Sequence, residues 1–289
     1  MHLLFALFIA LCVAYRNEVI PDDVPPMILT TPPSAFIKSS DLPTNFDWSN
    51  VNGQNYLTVT RNQHIPQYCG SCWAHGSMVA LFDRVRIQQG PLSTHITPSI
   101  QQIISCSKQY AGSCHGGSPG RLYQWLTKNY AVEESCFAYE ATNDNWAGCR
   151  FGSCWDCRFN LQKPKSECYE VKNFTKYSVE EFGYISGEEQ YMKEIFSRGP
   201  IAVGICANED LEAFRGDGIF KDNTGQKCIN HIVSITGWGV DENGTKYWNM
   251  RNSWGSFWGN GKGFAKMERG VNVLSLESSG YWAIPRVWN

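Results

Sequence analysis

A chain of 289 residues, 43% apolar and 13% aromatic, has material for one large core or for two lobes that share a cleft. Its 25 Lys and Arg against 27 Asp and Glu, with a pI near 6.3, exclude an electrostatic nucleic-acid binder, so no nucleic acid is expected as a partner. Past the N-terminus, no stretch is long and apolar enough for a membrane helix.

Leu3 to Ala14 is a short apolar run ending in Cys12-Val13-Ala14, small residues suited to signal peptidase. It reads as a signal peptide over residues 1–14, although it lacks a Lys or Arg before the apolar run. Export implies the secretory pathway: a lysosome or other acidic vacuole, or the extracellular space. Removing this run removes Cys12 and leaves eleven of the twelve cysteines, an odd number. In an oxidising compartment that means one free thiol or an intermolecular bridge. Residues 15–41 are rich in proline (Pro21, Pro25, Pro26, Pro32, Pro33), have no helical periodicity and contain no cysteine. They read as a short extended propeptide, or as an arm that is never removed. The change to Phe46-Asp47-Trp48 opens a single domain over 42–289.

The stretch from Asn62 to His75 carries the chemistry. From Cys72 the chain runs through Trp73, Ala74, Met78, Val79, Ala80, Leu81 and Val85, with Gly90 and Pro91 placed to end it. That pattern predicts a helix of roughly 18 residues with Cys72 in its first turn. Unpaired N–H groups and the macrodipole favour a thiolate there, predicting selective alkylation of Cys72 below neutral pH. A thioredoxin-type pair would need a compact βαβ setting, and a zinc knuckle a matching second pair, so no metal is expected. A structural cystine at both Cys69 and Cys72 is disfavoured by the odd count, which fits a free Cys72.

Ser99 is placed to cap a short helix through Ile100, Ile103 and Ile104, and Ser118-Pro119 another through Leu122, Trp125 and Leu126. Between them, Gly116 and Gly117 permit close backbone approach to a ligand. Cys136 to Cys168 reads as a stapled, loop-like join, followed by a helix over 188–197. Strands follow at 201–205, 218–220, 231–238, 245–250, 263–267 and 281–284. The expectation is an α+β fold in two lobes, helical over about 58–150 and β-rich over about 151–289.

A nucleophilic cysteine needs a base, and the base an orienting group. The histidines of the domain are His64, His75, His95, His115 and His231. His231 opens the apolar run Ile232-Val233-Ser234-Ile235, and Asn252 can accept from its ring while Trp254 and Trp258 exclude water. Cys69-Gly70-Ser71-Cys72-Trp73, Cys114-x-Gly116-Gly117, Asn230-His231 followed by Gly237-Trp238-Gly239, and Asn252-Ser253-Trp254-Gly255-x-x-Trp258-Gly259 occur in the order of the papain-like cysteine peptidases, which this chain resembles.

The resemblance implies a papain-like two-lobe fold, a helical left lobe and a β-barrel-like right lobe, with Cys72 facing His231 across the cleft. It implies a catalytic set of Cys72, His231, Asn252 and Gln63, with Gly116, Gly117 and Trp254 on the substrate and no metal or organic cofactor. The separation from Cys72 to His231 exceeds the ~130–150 residues usual in the family, which the segment 136–168 can account for. Between Gln63 and Cys69 stand His64-Ile65-Pro66-Gln67-Tyr68, three residues more than most of the family has. This insertion, and the short propeptide, resemble the cathepsin X (cathepsin Z) branch. There the activity is removal of single C-terminal residues, and the loop histidine holds the terminal carboxylate.

Carried over, Gln63 is the oxyanion donor, His64 the carboxylate anchor and Tyr68 part of the site, with Gln67 a second choice of donor. Substrates are then peptide and protein C-termini, and the expected state is a monomer. The branch has a propeptide cysteine able to mask the nucleophile, and residues 15–41 of this chain contain none. The resemblance also implies bridges Cys69–Cys114, Cys106–Cys149, Cys136–Cys154 and Cys157–Cys168. Cys206–Cys228 follows by exhaustion. The alternatives are a papain-like endopeptidase and a catalytically idle binding or adhesion protein. Asn173 and Asn243 begin glycosylation acceptor triplets, and Arg215-Gly216-Asp217 reads as a turn rather than an adhesion tripeptide.

Overall fold

The computed structural model describes residues 17–90, 96–143, 149, 154–160 and 165–288. The signal-peptide assignment and His95 lie outside them.

Strand β1 (Phe46–Asp47) precedes the central helix α1 (Cys72–Gln89), which begins at the nucleophile candidate and stops at Gly90, φ +86°. Every residue from Cys72 to Arg86 is buried, so this helix has core on all sides rather than one apolar face. The charges it carries into that interior are paired. Arg84 meets Glu194 at 3.0 Å and donates to the carbonyls of Gly199, Pro200 and Ala283. Asp83 meets Arg251 at 2.5 Å and accepts from the N–H and hydroxyl of Thr58.

Helix α2 (Ile100–Cys106) is capped by the Ser99 hydroxyl, which accepts from Gln102 N at 3.1 Å. Helix α3 (Pro119–Leu126) is capped by Ser118, with proline in the first turn where its missing N–H costs nothing. Between them strands β2 (Gly112–Ser113) and β3 (Gly116–Gly117) make a small antiparallel ledge.

The join holds more order than its sequence suggests: β4 (Trp155–Asn160) and β5 (Lys165–Glu170) pair as an antiparallel hairpin, with Cys157 opposite Cys168. Strand β6 (Lys176–Ile185) is not legible in the sequence because Glu180 and Glu181 interrupt its apolar residues. Glu181 is nonetheless buried, because its carboxylate accepts from the N–H groups of Leu29 (2.6 Å) and Thr30 (2.8 Å).

Helix α4 (Glu188–Arg198), strand β7 (Ile201–Ile205), helix α5 (Glu209–Ala213) and strands β8 (Ile219–Phe220), β9 (His231–Val240), β10 (Lys246–Arg251), β11 (Phe264–Glu268) and β12 (Gly280–Trp288) follow, with short 3-10 turns at Pro33–Ala35, Ser39–Asp41 and Val273–Ser275. The main sheet runs β6-β12-β7-β9-β10-β11-β8, with β1 on β9. Neighbours are antiparallel except β11 and β8. This is the expected two-lobe α+β fold, but the sheet is an open path: among the described residues no ladder joins its ends into a closed barrel.

Two apolar clusters form the lobes. They are not contiguous in sequence, since Tyr177, Val179 and Phe182 of β6 and Tyr281 and Ala283 of β12 join the cluster around α1.

Five disulfides have Cα separations between 4.0 and 5.5 Å: Cys69–Cys114, Cys106–Cys149, Cys136–Cys154, Cys157–Cys168 and Cys206–Cys228. Cys72 is the free cysteine among the described residues. Residues 17–31 are extended, as expected, yet they do not hang free. Glu18 N donates to Asn230 O (3.2 Å), Ile20 N to Gly117 O (2.9 Å) and Met27 N to Phe182 O (3.0 Å).

Candidate active site

The site lies where the start of α1 meets the start of β9. Gly70 N donates to Cys114 O at 2.8 Å, and the Cys69–Cys114 bridge ties the loop before α1 to the glycine ledge. Gly117 has no room for a side chain, because a Cβ would lie 2.4 Å from the Trp73 indole. A Cβ on Gly116 would approach the Glu18 backbone to 3.0 Å. Bare backbone on the ledge is therefore what lets another chain lie against it.

His231 is buried, and its Nε2 lies 2.8 Å from Asn252 Oδ1. That bond turns Nδ1 toward Cys72, whose Sγ, the His231 ring nitrogen and a Glu18 carboxylate oxygen all lie within 4.8 Å of one another. Trp254 stacks on the imidazole, ring centroids 4.8 Å apart, with Trp258 edge-on behind it. The other histidines are set differently. Burial, aided by the charge of Arg61, drives the pKa of His75 down to about 3, and His115 is exposed.

The two glutamines ahead of Cys69 part company. Gln63 is fully buried; its Oε1 accepts from Ser253 Oγ (2.7 Å) and its Nε2 donates to Cys69 O (3.1 Å) and to Glu18 Oε2 (2.9 Å). Gln67 is exposed and donates to Glu140 O at 3.4 Å. His64 stacks on Tyr68 at 4.9 Å, its N–H donates to Asn62 Oδ1, and its Nε2 is buried without a hydrogen-bond partner. Burial lowers its pKa below the usual histidine value, the charge of Glu18 opposing and that of His231 reinforcing the shift.

Glu18 is the residue that sequence reasoning missed. Its buried carboxylate accepts from Tyr68 Oη (2.5 Å) and Gln63 Nε2 (2.9 Å) and lies 3.9 Å from His231 Nδ1. Burial alone would raise its pKa, but hydrogen bonding to His231, that ring's charge, Tyr68 and Gln63 together hold it at about 2. The expectation of a primed Cys72 thiolate is not met with Glu18 in place. Burial first, and then the Glu18 charge, push the thiol pKa well up. The sequence signal was negative: a prolyl segment with no periodicity gave no reason to single out one acid.

Glu18, His64, Tyr68, Arg215, His231 and Trp254 line a cavity of about 530 Å³ beside the thiol, with Glu212 and Phe257 at its wall. Arg215, read from sequence as part of a turn, donates from Nη1 to the carbonyls of Glu212 (2.8 Å) and Phe214 (2.7 Å).

A buried thiol, an imidazole held by an asparagine and a glutamine amide beside them are the parts of a thiol acyl-transfer centre. The papain family cysteine protease profile matches residues 42–284, and the chain belongs to that family. It is 41% identical over 253 residues to cathepsin Z of Onchocerca volvulus, covering 85% of this chain and 78% of that protein. Cathepsin B-like cysteine proteinase 6 of Caenorhabditis elegans is 28% identical over 267 residues, covering 86% of this chain and 68% of that one. Among solved structures, the digestive procathepsin L 3 of Tenebrio molitor larval midgut superposes with a TM-score of 0.71 at 26% identity, covering 95% of this chain and 78% of that chain. Among the described residues no helix is long and apolar enough to cross a membrane.

Proposed function

We propose that the protein is a cysteine-type carboxypeptidase that removes single residues from free C-termini in an acidic or extracellular compartment of the secretory pathway. In this reading residues 1–14 are a signal peptide, 15–41 a propeptide removed on activation, and 42–289 the catalytic domain. The observation that carries the reading is the unpartnered, buried Nε2 of His64 in a cavity beside the nucleophile. A buried nitrogen without a partner is costly, and a substrate carboxylate there would supply one. Arg215, on the same cavity, is a second cation for that carboxylate.

In the reaction the Cys72 thiolate attacks the last peptide carbonyl, while Gln63 Nε2 and the Cys72 N–H hold the oxyanion. The His231 imidazolium gives its proton to the departing amino acid as the C–N bond breaks, leaving a thioester. The neutral ring then takes a proton from water, whose oxygen attacks the thioester; as the C–S bond breaks, Cys72 leaves as the thiolate beside the re-formed imidazolium and the shortened peptide acid is released. Asn252 fixes the ring, and Gly116 and Gly117 carry the substrate backbone. Relationship to cathepsin Z supports the reading.

The test is to incubate the processed protein with peptides that differ only in a free or amidated C-terminus and follow products by mass spectrometry. Single-residue losses from the free acid, with the amide spared, are expected. Internal cuts in both would overturn the reading in favour of an endopeptidase.

A further inference from the structure

The proposed chemistry has no use for Glu18, yet its side chain is buried and held at the centre by Gln63 and Tyr68. Its backbone is fixed on both sides of the cleft: Glu18 N donates to Asn230 O, and Glu18 O accepts from Gly117 N at 3.1 Å. Its carboxylate takes the Gln63 amide that an oxyanion would need and the Tyr68 hydroxyl, and faces the ring nitrogen that would otherwise face the thiolate. We infer that Gln63, Tyr68 and His231 form a carboxylate-binding site over Cys72, that Glu18 fills it in the full chain, and that its charge, added to burial, keeps Cys72 an unreactive thiol.

Charge acts on the thiol in addition to burial. The groups facing Glu18 are His231 from β9, Cys72 from α1, and Gln63, His64 and Tyr68 from the loop before α1. Cys72 and Glu18 are both potential anions, and their ligand atoms lie within 4.8 Å of each other in a buried site. Two like charges there oppose each other, and the stronger acid keeps its charge. Glu18 thus takes the thiolate's place as the anion beside His231 while also accepting from the Gln63 amide that an oxyanion would need. Residues 15–41 contain no cysteine, so this hold is charge and hydrogen bonding without a covalent bond, and it is reversible. No redox step is needed to release it; withdrawal of residues 17–20 is enough. The inference deepens the cysteine-peptidase reading but does not depend on which peptides are cut.

The test uses the full chain, with the leading segment verified by mass spectrometry, and follows alkylation of Cys72 by uncharged iodoacetamide in EDTA. Glu18→Gln keeps the side-chain size and can still bond Gln63 and Tyr68, so it removes charge without uncovering the site. Glu18→Gln is expected to react at least roughly tenfold faster than the wild type, because removing the nearby charge lowers the thiol pKa. Glu18→Ala should react at least as fast. Wild-type and Glu18→Gln chains reacting at the same rate would overturn the inference and leave only steric cover. A second readout guards against a misfolded variant. In the wild-type chain the far-ultraviolet thiolate absorption should be missing near neutral pH and appear once the segment is removed by proteolysis. Thiolate already present in the intact chain would overturn the inference. Neither readout involves a peptide substrate, so failure here is distinct from failure of the carboxypeptidase assignment.

Discussion

The catalytic centre and the cavity beside it differ in how their polar groups are satisfied. At the centre, Glu18, Gln63, Ser253, His231 and Asn252 form a chain of hydrogen bonds and close charges around the thiol. In the cavity, His64 Nε2 has no partner and the exposed Arg215 is held by two backbone carbonyls alone among the bonds that fix its guanidinium. One region is filled by the Glu18 carboxylate, and the other, which Glu18 and Glu212 also line, presents a buried ring nitrogen without a partner. If the proposed reading holds, chemistry and end-recognition are separable, and substitutions should sort by region.

The sharpest way to break that separation is Gln63→Ala in the processed protein. Loss of an oxyanion donor is expected to lower kcat about 10²–10³-fold on free-acid and amidated peptides alike. Steady-state kinetics on both substrates checks this; a loss confined to the free acid would move Gln63 into end-recognition.

His64→Ala should do the opposite. A hydrogen bond between charged groups contributes about 1.5–3 kcal/mol, so free-acid turnover should fall about 10- to 150-fold with amide turnover little changed. The free-acid preference should also strengthen on acidification, because burial lowers the His64 pKa and the ring gains its proton only below the ordinary histidine range. Arg215→Ala is the smaller change, about two- to fivefold on free acids, since its guanidinium is exposed and screened. Its effect should be larger at neutral than at acid pH, where His64 shares the load; a pH profile of kcat/KM for both variants checks the crossing.

The smallest expected effect is that of acid on the leading segment itself. Glu18 has a depressed folded-state pKa, so its contribution is present above the ordinary carboxylate value and is lost only as pH falls through about 2. Asp22 runs the other way. Burial raises its pKa, against hydrogen bonds from Ser118, Tyr281 and the backbone of Gly120 and Arg121. Its contribution is thus present at acid pH and lost as pH rises through its folded value. Both signs keep the segment docked in mild acid. Cys72 alkylation in the full chain should stay slow down to about pH 5, and release there should require cleavage. A rise of tenfold or more at about pH 5 would show that the two regions are coupled through some other group.

Much of this was legible in sequence because it rests on local rules. Helix α1 follows from an unbroken run ended by Gly90, and α2 and α3 from Ser99 and Ser118 at their caps. The proximity of Cys72, His231 and Asn252 was accessible through motif order alone, since no local pattern reports an approach across the chain. What stayed hidden depends on partners far away in sequence. Strand β6 reads as too polar until Leu29 and Thr30 are seen to cover Glu181, and Glu18 is one acid among many until the cleft closes round it. Arg215 was likewise mute, because its place is set by the turn between α5 and β8 and by the loop it faces.

Helix α1 belongs to both lobes at once. Asp83 holds Arg251 of the sheet, while Arg84, one residue on, reaches Glu194 and the carbonyls before and within β7's neighbours. Removing one member of such a buried pair costs about 3–5 kcal/mol, so neither lobe can melt and leave its charge stranded against the other. The domain should therefore give a single calorimetric endotherm, with matching van't Hoff and calorimetric enthalpies, rather than two. A cleft whose walls share one melting unit does not widen by partial unfolding. Heat will abolish catalysis and structure together.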